Sequence, residues 1–230
     1  MVIALVFAQF AQAQSVDEVV DKYMAAMGGK DKLMALTSLH TQGVSVMSNG
    51  TEITNNTYKV QDKLFRQDID FGMGTQVTIV TPEKGWRSNP RNGGAFEPIS
   101  EEGLKAYLHQ MDCAGPLVNY AAKGHKAELM GKETIEGAEC YKIKLTTKAG
   151  KEVMYWIDTK TNLINQSSQK LAGRGGGPDT EIIFTYKDYK AVDGIQFAYS
   201  VGSSGGFSAT MTYEKIELNK PVDEKLYKPE

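Results

Sequence analysis

Three histidines, two cysteines and 28 acidic residues are the groups of this chain that could do chemistry, and their spacing decides how far. His40, His109 and His125 stand far apart. None belongs to an H-x-H, H-E-x-x-H or His/Cys pattern of the kind that brings two ligands to one metal ion. Histidines so isolated read as surface or turn residues, and no metal site is expected. Neither Cys113 nor Cys140 sits in a catalytic signature, and no G-x-S-x-G elbow offers an activated serine. The carboxylates are scattered through turns and polar strand faces, so no spacing selects a pair for acid and base roles. Gly173-Arg174-Gly175-Gly176-Gly177-Pro178 lacks the G-K-[ST] ending of a phosphate loop. It reads as a connection between strands whose Arg174 could touch an anion. The expectation is no catalytic residue and no cofactor.

The remaining chemistry is apolar. The 230 residues are 41% hydrophobic and 23% charged, enough to bury a sizeable core. A net charge of -2 supplies no cationic field to gather phosphates, which excludes nucleic acid as a first choice of partner. Residues 1–10 are uncharged and mostly apolar, and Ala11-Gln12-Ala13 supplies the small-x-small pattern of a signal-peptidase site. The segment reads as an export signal over residues 1–13 whose true start lies upstream. It is too short for a membrane span, which takes about 20 residues. A single domain over 14–230, released into the periplasm, is the expectation. Cys113 and Cys140 could form one bridge there; two free, partly buried thiols are favoured.

Ser15-Val16-Asp17-Glu18 is a capping box, and Val16, Val19, Val20, Tyr23, Met24 and Met27 follow on one helical stripe. Gly28-Gly29 ends that helix, and a short second one is expected over 30–36, with Leu33, Met34 and Leu36 as contacts. From residue 37 the period changes to two. Strands are expected over 37–48, 51–61, 63–71, 74–81, 128–133, 138–147, 152–158, 163–170, 180–189, 195–201 and 207–218, separated by Asn-Gly, Glu-Gly and Asp-Gly turns. One helix interrupts them after Ser100, with Leu104, Tyr107, Leu108 and Met111 facing one way. About eleven strands with no helix between neighbours exclude a doubly wound parallel sheet. The fold class expected is mainly β (α+β): one large curved antiparallel sheet, an incomplete barrel, with helices covering its concave side.

The order of these elements resembles the outer-membrane lipoprotein-sorting (LolA-like) proteins, in the secreted form of Bacteroidetes-type bacteria. The likeness is carried by "DKYMAAMGGKDKLMALTSLHTQG" (21–43), "GWRSNP" (85–90), "GPLVNY" (115–120), "GHKAELMGKETIEGAECYKIKL" (124–145), "YWIDTKTNLI" (155–164) and "YKDYKAVDGIQFAYS" (186–200). It implies an apolar cavity between sheet and helices that holds lipid or lipoprotein acyl chains. Envelope proteins of the inner and outer membranes would be the delivery partners. No local motif places the carrier's key arginine; Arg66 is a candidate by location alone. The candidates for the cavity wall are Phe65, Ile69, Phe71, Val77, Ile79, Trp86, Tyr155 and Phe184, with Met24 and Met27 on the helical lid. Each could instead be closed core, and Met34, Met47 and Met73 could add deformable wall. An envelope sensor whose groove takes a protein segment or a lipid signal, and an enzyme using scattered carboxylates, are the competing readings.

Overall fold

The computed structural model describes residues 14–171, 179–206 and 208–229. The expected export signal and the 173–178 connection with Arg174 lie outside the described residues. Helix α1 (Val16–Ala26) begins at the capping box. Ser15 Oγ accepts from the Glu18 N–H at 3.2 Å, and Glu18 Oε2 accepts from the Ser15 N–H at 3.3 Å. Its stripe buries Val19, Val20, Tyr23 and Met24. Gly28 and Gly29, with φ of 121° and 101°, turn the chain into α2 (Lys30–Met34). Leu33 and Leu36 are buried there, whereas Met34 is turned out and 47% exposed.

Six strands follow: β1 (Ser38–Met47), β2 (Glu52–Val60), β3 (Leu64–Asp70), β4 (Thr75–Val80), β5 (Gly85–Ser88) and β6 (Phe96–Pro98). Then α3 (Glu101–Tyr107) and a 3-10 turn (Leu108–Met111) cross to the second half. That half comprises β7 (Lys126–Ile135), β8 (Ala138–Thr146), β9 (Glu152–Asp158), β10 (Ile164–Leu171), β11 (Thr180–Val192), β12 (Ile195–Ser204) and β13 (Ala209–Leu218). Among the described residues these form one sheet in the order β6-β5-β4-β3-β2-β1-β13-β12-β11-β10-β9-β8-β7. Each half is a meander, and the two join where β13 pairs antiparallel with β1. Glu136-Gly137 and Asp193-Gly194 have positive φ at both residues, the type I′ geometry that matches strand twist. The eleven expected strands are all present. β5 and β6 are additional, and their four and three residues are too short to show a period of two.

A twisted sheet this wide cannot stay flat. Ile69 on β3 and Phe184 on β11 line one cavity although four strands separate them, so the sheet curls into an incomplete barrel. Residues of α1 and α2 join Ile143, Leu145, Tyr155, Ile157 and Leu218 in the main core on its concave side. Leu104 and Tyr107 of α3, with Met111, close over Phe65 and Val80 further along the same face. Leu108 leaves that stripe, 38% exposed, because the chain tightens into the 3-10 turn there. The convex side is covered in part by a C-terminal 3-10 turn (Glu224–Tyr227) lying against β3 and β4. The sheet's ends are blunted against edge pairing. β6 is short and carries Pro98, and β7 is broken by a register shift between Leu129 and Lys132, where Gly131 has φ 106°.

Cys113 and Cys140 are both free and buried. Cys113 belongs to the core beneath the helices. Cys140 pairs with Asp158 and Glu133 on strands whose concave positions are Tyr141 and Ile157, so it faces the other way. Burial pushes each thiol up to about 11, against the pull of Lys59 at Cys113 and reinforced by Asp158 at Cys140. At neutral pH both stay protonated and poorly nucleophilic. The native protein is expected to react only slowly with Ellman's reagent. Two thiols should titrate after unfolding without reductant; a bridged pair would release none.

Candidate functional site

Register decides which residues share the concave face. Across β3 and β4, Phe65 opposes Val80 and Ile69 opposes Gln76. Val77 and Ile79 therefore stand on the convex face, and Trp86, opposite Ile79 on β5, stands with them. These three were expected in the cavity wall, and the structure separates them from Phe65, Ile69 and Phe71. Arg66 shares their convex side. Its guanidinium grips Asp68 at 2.9 and 3.2 Å and reaches the Leu226 carbonyl at 3.5 Å. It pins the C-terminal turn and does not face the cavity.

Three adjoining spaces lie inside the concave face. One of about 440 Å³ lies between β2–β3 on one side and β11–β13 on the other. Ile53, Ile69, Phe71, Phe184, Val201 and Met211 give it an apolar wall. Part of its polar lining is occupied: Asn55 donates to Ser45 Oγ at 3.1 Å and to the Ile53 carbonyl at 3.0 Å. A second space of about 220 Å³ runs under α1, between Met27 and Tyr23 above and Leu39, Phe197 and Ile216 below. Val201 and Tyr213 belong to both. The third, about 140 Å³, is walled by Tyr155, Val153, Phe184 and Tyr186 together with His109 and Lys151. Phe184 joins it to the first space and Tyr186 to the second. At the rim, Phe71 and Met73 are 40% and 88% exposed. They border a broad depression of about 620 Å³ with Arg87 and Arg91.

Of the expected wall, Ile69, Phe71, Phe184, Tyr155 and Met27 thus lie together on these spaces. Met24 and Phe65 do not: each is about 95% buried, Met24 in the main core and Phe65 under α3, its ring stacked on Tyr107 at 5.9 Å. Polar wall residues such as Ser45, Asn55 and Gln67 escape a search for large apolar side chains. Counting by two from Ile69 and crossing to its partner Asn55 would have found them.

The tyrosines give the interior its electrical character. Burial raises the phenols of Tyr23, Tyr155, Tyr186, Tyr189 and Tyr213, and they stay neutral at physiological pH. Tyr186 shares a hydrogen bond of 2.9 Å with Ser167, and Tyr189 donates to the Ile164 carbonyl at 2.8 Å. Satisfied hydroxyls present ring carbon to the cavity. The histidines do not converge. His40 lies on the convex face, stacked on Tyr58 between Glu217 and Asn56, while His125 accepts from the Lys148 N–H. Among the described residues no group of three or more His, Cys, Asp or Glu could hold a metal ion.

An open antiparallel barrel with helices over a hollow, apolar concave face is the architecture of the LolA-like proteins, and the chain has that fold. Solved structures align with nearly its whole length. A DUF1329 family protein from Desulfovibrio piger has a TM-score of 0.61 at 13% identity, covering 94% of this chain and 98% of that one. A LolA superfamily protein from Nitrosomonas europaea has 0.60 at 11%, covering 94% and 99%. A domain assigned to the outer-membrane lipoprotein-sorting proteins, from Vibrio parahaemolyticus, has 0.55 at 11%, covering 91% and 94%. Identities this low make the likeness one of fold. No protein-family model matches the sequence, and no curated protein matches it.

Proposed function

We propose that the protein is a periplasmic carrier that binds lipoprotein acyl chains or another lipid in the concave cavity for transfer toward the outer membrane. The observation that carries this reading is the 440 Å³ space on the concave face, continuous in its lining with the one under α1, within the roughly 300–1,000 Å³ of small-molecule sites. A guest hydrocarbon gains about 0.8 kcal/mol per buried CH₂, so a long chain is held without any covalent step. Ile69, Phe71, Phe184, Tyr155 and Met27 form the binding wall, and motion of the helices sets release. The fold shared with a lipoprotein-sorting domain supports the same reading. Among the described residues no helix is long and apolar enough to cross a membrane.

Phe71 is the residue on which to test it, because it lines the cavity while 40% exposed. Placing a charge there does not bury one in the core. Phe71→Asp is expected to weaken uptake of a fluorescent fatty acid about tenfold or more, the loss of some 1.5–3 kcal/mol of apolar contact, while the circular dichroism spectrum is unchanged. Lipids extracted from natively purified protein should include acyl chains detectable by mass spectrometry. A lipid-free protein that captures a single envelope protein, with Phe71→Asp indifferent to fatty acid, would replace the carrier with a sensor.

A further inference from the structure

The three concave spaces differ in charge. Of these three, the two larger are walled by hydrocarbon, tyrosine and neutral polar groups and the smallest carries basic side chains, while Arg87 and Arg91 border the separate rim depression beyond Phe71. His109, from the 3-10 turn after α3, and Lys151, from the hairpin entering β9, both line it. Lys59 approaches from across the barrel, on the concave positions of β2 opposite Leu39 and Phe65. Burial, and after it Lys151 and Lys59, hold the basicity of His109 down, and burial lowers that of Lys59 and Lys151. Asp112 is the carboxylate that faces Lys59 and His109, but it is bound to Lys123 at 2.6 Å. Among the described residues neither Lys59 nor Lys151 takes part in an ion pair.

Cations withdrawn from water without a partner cost free energy that a bound anion offsets. A carrier for purely neutral hydrocarbon gains nothing from them. Lysine ammonium groups at one end of a hydrophobic channel match an amphiphile instead, since each binds an anion from any side with three N–H groups. We propose that the cavity takes a single-chain amphiphile with an anionic head, whose carboxylate or phosphate is held by Lys151, with Lys59 facing it from β2, while its tail runs past Phe184 into the larger space. This inference rests on the carrier reading and narrows its cargo.

The test compares probes of one chain length on the unaltered full chain by calorimetric titration: palmitate, hexadecyl phosphate and hexadecanol. Palmitate, hexadecyl phosphate or both should bind about tenfold or more tightly than hexadecanol, the usual scale of a hydrogen bond to a charged group. The stronger of the two identifies the head. Lys151→Met and Lys59→Met should each erode that preference, whereas Lys151→Arg should keep it. Equal binding of all three probes overturns the anionic head group and leaves the carrier standing. Failure of all three to bind removes the carrier and this inference together.

Discussion

Gly28→Ala protein is expected to melt on the order of 10 °C below the parent, a loss of about 3 kcal/mol or more at roughly 2–4 °C per kcal/mol for a chain of this size. Two costs combine at that position. Gly28 has φ 121°, where a side chain strains the backbone. A methyl built there also runs into the Gly194 carbonyl oxygen, which belongs to backbone and cannot swing aside. The contact is the seat of the lid. The Met27 carbonyl accepts from the Gln196 N–H at 2.9 Å, and the end of α1 rests on the β11–β12 turn through bare backbone. Gly29→Ala provides the comparison. Its φ is 101°, but nothing lies within 4 Å of the added carbon, so strain alone remains, about 1–3 kcal/mol. Thermal melts of the two variants should rank Gly28→Ala well below Gly29→Ala. Equal melting points would mean that α1 is not seated in this way.

Ala209→Trp is expected to do the opposite: abolish binding and spare stability. Ala209 lines the 440 Å³ space and pairs with Met47 on β1 and Ser203 on β12, so its side chain borders the hollow where these strands end. An indole there occupies volume that a guest needs while covering apolar surface of Phe184 and Val201. Affinity for a fluorescent fatty acid should fall at least about tenfold, the loss of some two buried CH₂ contacts or more. The melting temperature should hold or rise, since the added ring fills space without displacing packed atoms. Undiminished binding would place the guest elsewhere.

The fold was legible because antiparallel meanders are local. Each hairpin's turn and alternation sit within about twenty residues, and Ser15 with Glu18 announces α1 outright. The wall was half legible for the same reason. Phe65, Ile69 and Phe71 visibly share a face, but β4 reads Thr-Gln-Val-Thr-Ile-Val, and its apolar pair Val77 and Ile79 points away from them. Alternation assigns apolar residues to the only buried face it can imagine. Here the convex side is buried too, by a turn 145 residues further on that Arg66 fastens through Leu226. Trp86 went astray with Ile79, its cross-strand partner. The basic groups were illegible for a related reason. His109 and Lys151 are dispersed in sequence and come to one space only when the sheet curls and the segment after α3 crosses its hollow.

Strand order has one last mechanical consequence. Among the described residues β6 and β7 end the sheet without pairing with each other. In a sealed cylinder, strand number and shear together dictate the girth. A C-shaped wall is under no such constraint: small changes of twist at each of twelve ladders can splay it wider while every rung stays intact. For the carrier proposed above, that freedom would let the interior widen around a guest with no backbone hydrogen bond broken.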